Sequence, residues 1–406
     1  MSATSQGRVD AAQLMQWDSE HVMGTYARQP VMFVRGEGAR LWDSDGKEYL
    51  DFLAGIAVCA VGHCHPRVAR AISQQAATLM HLSNLYYNPL QPVLARRLCE
   101  LTCMERAFFC NSGAEANECA IKIARKWAKT HRGPDCFEII TFERSFHGRT
   151  LATVTATAQP KYQEPFAPLP AGFKYLPVGD LHALDEAIHE RTCAVMIEPI
   201  QGETGIHIVP KEFMAAIRAL CDESGILMIC DEVQSGMGRT GTFLAGAHSG
   251  IAPDIVTLAK AIADGVPMGV CLARGEAART LVPGDHGSTF GGQPLACAAA
   301  LAVLDVLQEE DLMSHAARVG DRFLASLRRL QQAMPEKIQE ARGLGLMVGL
   351  ELSIPEAKRV QKEMLARGIV INAIGDTILR FVPPLVVTEA DCDRVVQTLE
   401  EILQSL

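Results

Sequence analysis

Short apolar runs alternate with helix-period stretches through the middle of the chain, roughly residues 90 to 300. The runs are Ala107-Phe108-Phe109, Glu138-Ile139-Ile140-Thr141, Ala194-Val195-Met196-Ile197, Leu227 to Cys230, Ile255 to Leu258 and Gly269-Val270-Cys271-Leu272. Short runs without polar alternation predict strands buried on both faces, and intervening helices predict βα units in a mainly parallel sheet. Ahead of them, Met32 to Phe52 predicts a small antiparallel unit turning at Asp43-Ser44-Asp45-Gly46. Helical periodicity then runs from Pro66 to about Met80. Beyond about residue 300 amphipathic helix predominates, broken by strand-like Gly349 to Leu352, Gly368 to Ile371 and Ile378 to Phe381. The expected fold class is α/β, with a large domain at 66–305 and a smaller α/β domain at 306–406. The segment 1–65 is expected to join the smaller domain, its first residues forming a tail that leads into a helix.

Composition changes this picture little. A chain of 406 residues has room for two or three domains, and 48% hydrophobic with 21% charged residues is ordinary for a globular core. A net charge of −9 without a basic tract argues against nucleic acid or an anionic membrane as partner. The first twenty or so residues lack an apolar signal core, and the longest apolar stretch, Leu295 to Leu307, is broken by Asp305. The 13 cysteines follow no repeating spacing, and an odd number cannot all pair within one chain. Free thiols and a cytoplasmic location are expected.

The candidate chemistry centres on Asp254-Ile255-Val256-Thr257-Leu258-Ala259-Lys260, an apolar run closed by a lysine. Burial at a strand end lowers a lysine's pKa, and a free amine is what an imine-forming nucleophile requires. The preceding apolar run, Ile226 to Cys230, delivers Asp231 at its own carboxyl end, about one βα unit upstream. Ligands of parallel sheets sit outside such strand ends. A lysine able to form an imine and an aspartate able to pair with a pyridinium nitrogen are what pyridoxal phosphate asks of a protein. A lone lysine there would more often be a snorkelling surface residue; the pairing with Asp231 is what argues otherwise.

Other segments are ambiguous one by one. Cys110-Asn111-Ser112-Gly113-Ala114-Glu115 passes from strand to helix, where backbone N–H groups suit either a phosphate or a simple cap. In Ser145-Phe146-His147-Gly148-Arg149-Thr150, Phe146 suits a planar cofactor or the core, and Arg149 a carboxylate or a surface ion pair. Glu198-Pro199-Ile200-Gln201-Gly202-Glu203 brings two acids to a strand end, and His286 to Pro294 is a glycine-rich loop before a helix. Arg380 lies among apolar residues and needs an acceptor. His63-Cys64-His65 has no further ligand set at metal spacing, so no metal site is expected.

Taken together, these segments resemble the class III, or ornithine-type, aminotransferases among the fold-type I pyridoxal-phosphate enzymes. The resemblance runs from Thr25-Tyr26-Ala27-Arg28 to Phe381-Val382-Pro383-Pro384. Between them stand Asn111 to Ala116, Phe146 to Thr150, Glu198 to Glu203, Asp231-Glu232-Val233-Gln234 with Gly238-Arg239-Thr240-Gly241, Ala259-Lys260 and Ser288 to Gly292. The family implies that Lys260 holds the cofactor and shuttles a proton, while Asp231 keeps the pyridine nitrogen protonated. It places Ser112, Gly113 and Ala114 at the phosphate, Phe146 on the ring and Gln234 at the ring hydroxyl, with Glu232 and Val233 alongside. In the family's pattern Thr289 would reach the phosphate from a neighbouring subunit, which implies a homodimer with shared sites. Arg149 takes the substrate carboxylate remote from the reacting amine, with Tyr26 and Ser288 nearby. Arg380 takes the α-carboxylate of glutamate or 2-oxoglutarate, and Glu203 pairs with Arg380 while the other donor is bound.

Within the family, the short length and the Thr25 to Pro30 segment point to an N-acetylornithine donor and 2-oxoglutarate acceptor. Succinylornithine is the nearest rival; ornithine, 4-aminobutyrate and an aminomutase reaction are further alternatives. A non-enzymatic binding protein would have no need of both Lys260 and Asp231. The chain departs from the family at Cys110, Thr204, Ala261 to Gly265 and Gln293, and the resemblance puts Thr204 and Asp264 near the entrance.

Overall fold

The computed structural model describes residues 10–406. At its centre lies a seven-stranded sheet in the order Arg106–Cys110, Gly269–Ala273, Ile255–Leu258, Leu227–Asp231, Thr192–Ile197, Glu138–Phe142, Phe173–Leu176. Every pairing from Ile255–Leu258 to Phe173–Leu176 is parallel, whereas Gly269–Ala273 runs antiparallel to both its neighbours. The expected mainly parallel sheet is present, with one reversed strand. Side chains alternate between two cores. Val195, Met228, Cys230, Val256 and Leu258 enter one, and Ala194, Met196, Ile229 and Ile255 the other. Burial on both faces is why these strands read as continuous apolar runs.

The edge strand Phe173–Leu176 lay outside those runs. Its Lys174 and Tyr175 are exposed, so its sequence lacks the apolar signature. The turn after Arg106–Cys110 opens the helix Gly113–His131. Ser112 is its N-cap, accepting from Glu115 N at 3.2 Å, and the Glu115 carboxylate reaches back to Asn111 N at 2.8 Å.

The last third forms a four-stranded antiparallel sheet, ordered Ile338–Leu344, Met347–Leu352, Ile378–Phe381, Asn372–Ile374. The helix Leu312–Ala333 packs on it, and Glu389–Gln404 packs on that helix. A second sheet gathers Phe33–Glu37, Arg40–Asp43 and Glu48–Asp51 with the distant strand Ile369–Val370, which pairs in parallel through Leu50 and Ile369. Between the two halves, the buried Arg239 donates from Nη1 to Leu346 O and Pro383 O, each at 2.9 Å. The reach from a loop near the large sheet to two carbonyls beyond residue 340 ties the halves together.

His63 faces Asp51 at 2.7 Å and His65 faces Glu310 at 3.1 Å. Among the described residues no helix is long and apolar enough to cross a membrane.

Candidate active site

The carboxyl ends of the parallel strands converge on one cavity of about 380 Å³. Asp231 closes Leu227–Asp231, Lys260 stands two residues beyond Ile255–Leu258, and Glu198 follows Thr192–Ile197. Ser112 and Gly113 enter from the helix start, and Phe146 to Arg149 from the loop after Glu138–Phe142. Each group is thus placed by a backbone element that the apolar core holds rigid.

Asp231 is almost wholly buried and fully engaged on one side. Its Oδ2 accepts from Asn117 Nδ2 at 2.7 Å and faces His147 Nδ1 at 2.8 Å, while Oδ1 accepts from Val233 N at 3.0 Å. An ionised carboxylate only accepts, so Nδ1 of His147 carries the proton. Asn117 is itself oriented, accepting from Thr257 Oγ1 at 2.7 Å and donating to His147 O at 2.7 Å. The result is a fixed negative charge whose Oδ1 keeps acceptor capacity for one more donor. Glu198, also buried, accepts from Phe146 N at 2.9 Å; burial, then the charge of Asp231, drives its pKa well above the usual carboxylate range.

Burial lowers the Lys260 amine to about 8. Glu203, Asp231 and Glu198 oppose that shift and Arg380 assists it. About a tenth of the amine is therefore free at pH 7, far more than for an ordinary lysine, and the free amine is the state a nucleophile needs. Lys260 also has φ +46°, in the left-handed region, so the chain leaves the strand sharply where the side chain enters the cavity.

Two arginines stand at the other end. Arg380 is buried in its strand and donates from Nη1 to Glu203 Oε2 at 2.7 Å. Its Nε and Nη2 both reach Asn372 Oδ1, at 3.1 and 2.8 Å. Burial would raise the Glu203 carboxyl, but the charge and hydrogen bond of Arg380, with Lys260 and Arg149, hold it below its ordinary range. Arg149 is exposed, its guanidinium 3.9 Å from the Tyr162 ring centroid and 5.3 Å from that of Phe146. Stacking on aromatic faces leaves the guanidinium fork free for a carboxylate.

The donor set fits pyridoxal phosphate. Gln234 lines the cavity with a buried Oε1 that has no hydrogen-bond partner among the described residues. Ser112, Gly113 and Ala114 present a helix start, Asp231 offers its acceptor and Lys260 its amine.

The sequence profile of the class-III aminotransferases matches residues 23–403. The chain belongs to that family.

Several relatives of this aminotransferase align along their whole length. It is 50% identical to the acetylornithine aminotransferase of Methanocaldococcus jannaschii over 389 residues, 96% of this chain and 97% of that protein. With the Myxococcus xanthus acetylornithine aminotransferase it shares 47% over 397 residues, 97% and 98% of the two chains. Among solved structures, the ornithine aminotransferase of Toxoplasma gondii superposes with a TM-score of 0.94 at 35% identity, covering 98% and 97%. The acetylornithine aminotransferase of Elizabethkingia anophelis gives 0.88 at 32%, covering 98% and 100%.

Most of the expected site residues of this aminotransferase line the one cavity: Ser112, Gly113, Ala114, Phe146, Arg149, Asp231, Val233, Gln234 and Lys260. Glu203 and Arg380 meet at its edge, and Ser288 Oγ accepts from the pocket residue Asn111, Nδ2, at 3.2 Å. Three expected residues lie elsewhere within the chain. Glu232 turns away, its carboxylate accepting from Ala245 N at 2.9 Å, Gly246 N at 2.7 Å and Ser235 Oγ at 2.6 Å. Successive residues leaving a strand point to opposite sides, so neighbours of Asp231 cannot all face the ligand. Tyr26 is 74% exposed beside Arg28, and Thr289 is exposed too.

Asp264 adjoins Gly265, which lines the cavity, and its half-buried carboxylate accepts from Val61 N at 3.1 Å. Burial raises it to about 7. Asn117, His147, Thr257, Tyr162 and Asn372 were not singled out. Only Asn117 carried a signal, as an amide one helical turn from Gly113 on a face otherwise apolar.

Proposed function

We propose that this aminotransferase carries pyridoxal phosphate and moves the δ-amino group of N-acetylornithine to 2-oxoglutarate, giving N-acetylglutamate semialdehyde and glutamate, a step of arginine synthesis. The observation that carries this reading is the Glu203–Arg380 pair at 2.7 Å beside Lys260, with Arg149 as a second cation. A donor reacting through a terminal amine has no carboxylate at the reacting carbon, so Arg380 needs Glu203 as its counter-ion. An acceptor with a carboxylate next to its carbonyl takes the place of Glu203. Arg149 serves the remote carboxylate of either substrate. The full-length relatives named as acetylornithine aminotransferases support the donor assignment.

Pyridoxal phosphate, when bound, supplies the carbonyl that receives the amino group and the ring that takes up the electron pair released with the proton. The chain supplies the rest. Lys260 Nζ would hold the cofactor and is the base placed to move a proton at the amine-bearing carbon. Asp231 would pair with the protonated ring nitrogen, and Asn117 with His147 orients that carboxylate. Gln234 would serve the ring hydroxyl, Phe146 the ring face, and Ser112 to Ala114 the phosphate.

The protein acts as a cytoplasmic homodimer in this reading. Leu85, Tyr86, Tyr87 and Phe290 expose apolar surface beside Thr289, and Asn84 Nδ2 donates to Gly291 O at 2.9 Å, joining the two loops into one patch. Such a patch supports a second copy seated there, with Thr289 completing the partner's site. The pairing of Leu50 with Ile369 supports the division into 1–65 with 306–406 and 66–305.

A half-reaction tests the donor. Holoenzyme is mixed with N-acetylornithine, succinylornithine, ornithine or 4-aminobutyrate without keto acid, and loss of the cofactor's visible absorbance is followed. Fastest bleaching by N-acetylornithine is expected. Faster bleaching by ornithine or 4-aminobutyrate would overturn the donor assignment.

A further inference from the structure

Glu203 sits in the loop Gly202 to Ile206, between the short strands Ile200–Gln201 and His207–Ile208. Just after Glu203 the loop is tied to two different parts of the molecule. Thr204 Oγ1 donates to Arg144 O at 2.9 Å, in the loop that goes on to Phe146 and Arg149. Arg342 Nε donates to Gly205 O at 2.9 Å from the strand Ile338–Leu344, in the sheet that also carries Arg380. His207 Nε2 closes the turn on Thr204 O at 3.1 Å, and Arg380 Nη1 reaches Gly202 O at 3.2 Å.

The fit around these bonds is tight. Gly205 has φ +129°, and a Cβ there would stand 2.6 Å from Ile378 Cδ1. A Cβ on Gly202 would come within 2.2 Å of Gln234 Oε1 and 2.8 Å of Met347 Cε. Ile206 and Arg144 also hold positive φ, +59° and +65°. Left-handed non-glycine residues persist only where surrounding bonds enforce them. Arg342 is itself held, with Nη1 at 2.6 Å from Glu340 and 2.5 Å from Glu351.

We propose that Thr204 and Arg342 are positioning residues that set how readily Glu203 leaves Arg380, and thereby the balance between the two half-reactions. This rests on the reading of Glu203 as the exchangeable counter-ion of Arg380. Thr204 fixes the residue immediately after Glu203 to the large-sheet side. Arg342 fixes the next carbonyl to the Arg380 side. With both bonds made, the loop keeps the carboxylate on Arg380, and an incoming α-carboxylate must displace it. Without the Thr204 hydroxyl the loop can withdraw, so the acceptor binds more readily, while a donor lacking that carboxylate gains nothing.

The test uses holoenzyme and its two half-reactions measured separately by stopped flow. Thr204→Val keeps the shape and removes the hydroxyl. It is expected to lower the 2-oxoglutarate concentration for half-maximal rate about fivefold, the scale of one neutral hydrogen bond. The N-acetylornithine half-reaction should stay within about twofold, and Thr204→Ser should restore the original split. Thr204→Ala, run in parallel, should show the same split as Val, and Arg342→Gln a shift in the same direction. Glu203→Gln separates the two ideas. If it lowers the 2-oxoglutarate requirement while the Thr204 variants do not, the counter-ion reading stands and the positioning role is overturned. If Glu203→Gln has no effect, both fall. Equal shifts in both half-reactions would make Thr204 merely structural and would also overturn the proposal.

Discussion

The two ends of the cavity hold charge in opposite ways. Around Asp231, side chains on the Gly113–His131 helix, the Phe146 loop and the neighbouring strand are locked into one hydrogen-bonded chain, all of it buried. Around Arg380, the counter-charge is a single carboxylate on a loop, partly exposed and joined by one bond to the guanidinium. A buried network of mutual hydrogen bonds favours one arrangement, because a change breaks bonds that nothing nearby replaces. A loop carboxylate beside solvent has two, bound or withdrawn. The first end suits a charge that must stay the same through both half-reactions; the second suits one that must differ between them.

Removing Lys260 tests what the ends have in common. Lys260→Ala should reduce turnover with every donor at least about 10³-fold, toward the upper range of general acid–base contributions. Turnover retained in that variant would remove the chemistry from between the two ends. Asp231→Ala should slow both half-reactions alike, about 10²-fold, as for loss of a fixed electrostatic partner. A loss confined to one half-reaction would break the contrast drawn above.

A finer pair sets Asn117 against Asn372, each an amide orienting a charged group. Asn117→Ala should lower the maximal rate of both half-reactions about tenfold, while Asn372→Ala should raise the half-saturating 2-oxoglutarate concentration about tenfold. Steady-state kinetics with the two substrates varied separately distinguishes the cases. If the two variants give the same pattern, the ends do not differ in kind.

Two pH effects are smaller. With Lys260 lowered to about 8, cofactor uptake by the stripped protein should quicken as pH rises from 6 and level off above about 8, as followed by absorbance. A plateau reached only near the ordinary lysine value of 10.5 would show that the amine is not desolvated. Asp264 has its folded pKa raised to about 7 from 3.8. Between these values the folded protein keeps a proton that the unfolded chain has lost, so its contribution to stability falls as pH rises from about 4 to about 7. Asp264→Asn keeps an acceptor for Val61 N and should flatten that part of the curve of thermal midpoint against pH.

Legibility in the sequence followed burial. Strands buried on both faces, such as Thr192–Ile197, announced themselves, whereas Phe173–Leu176 did not because an edge strand mixes polar with apolar positions. Lys260 and Asp231 were legible as a pair, because either charge alone has an innocent explanation but the two ending neighbouring apolar runs do not share one. Asn117 and His147 were not, since their role depends on a meeting between a helix, a loop and a strand that no local spacing encodes. Glu232 shows the converse error: adjacency to Asp231 suggested a shared role, and the backbone turned it the other way.

The parallel pairing of Leu50 with Ile369 has a consequence for how the molecule is made. Nearby, Lys47 Nζ donates to Ala366 O across 319 positions of chain. At ribosomal rates of about 5–20 residues per second, the Glu48–Asp51 edge waits on the order of tens of seconds for its partner to emerge. Through that interval the nascent hairpins offer an open strand edge with Leu50 beside it, while the large sheet can already close behind them. The Glu48–Asp51 edge is thus the part of this enzyme left unpaired longest by the order of synthesis.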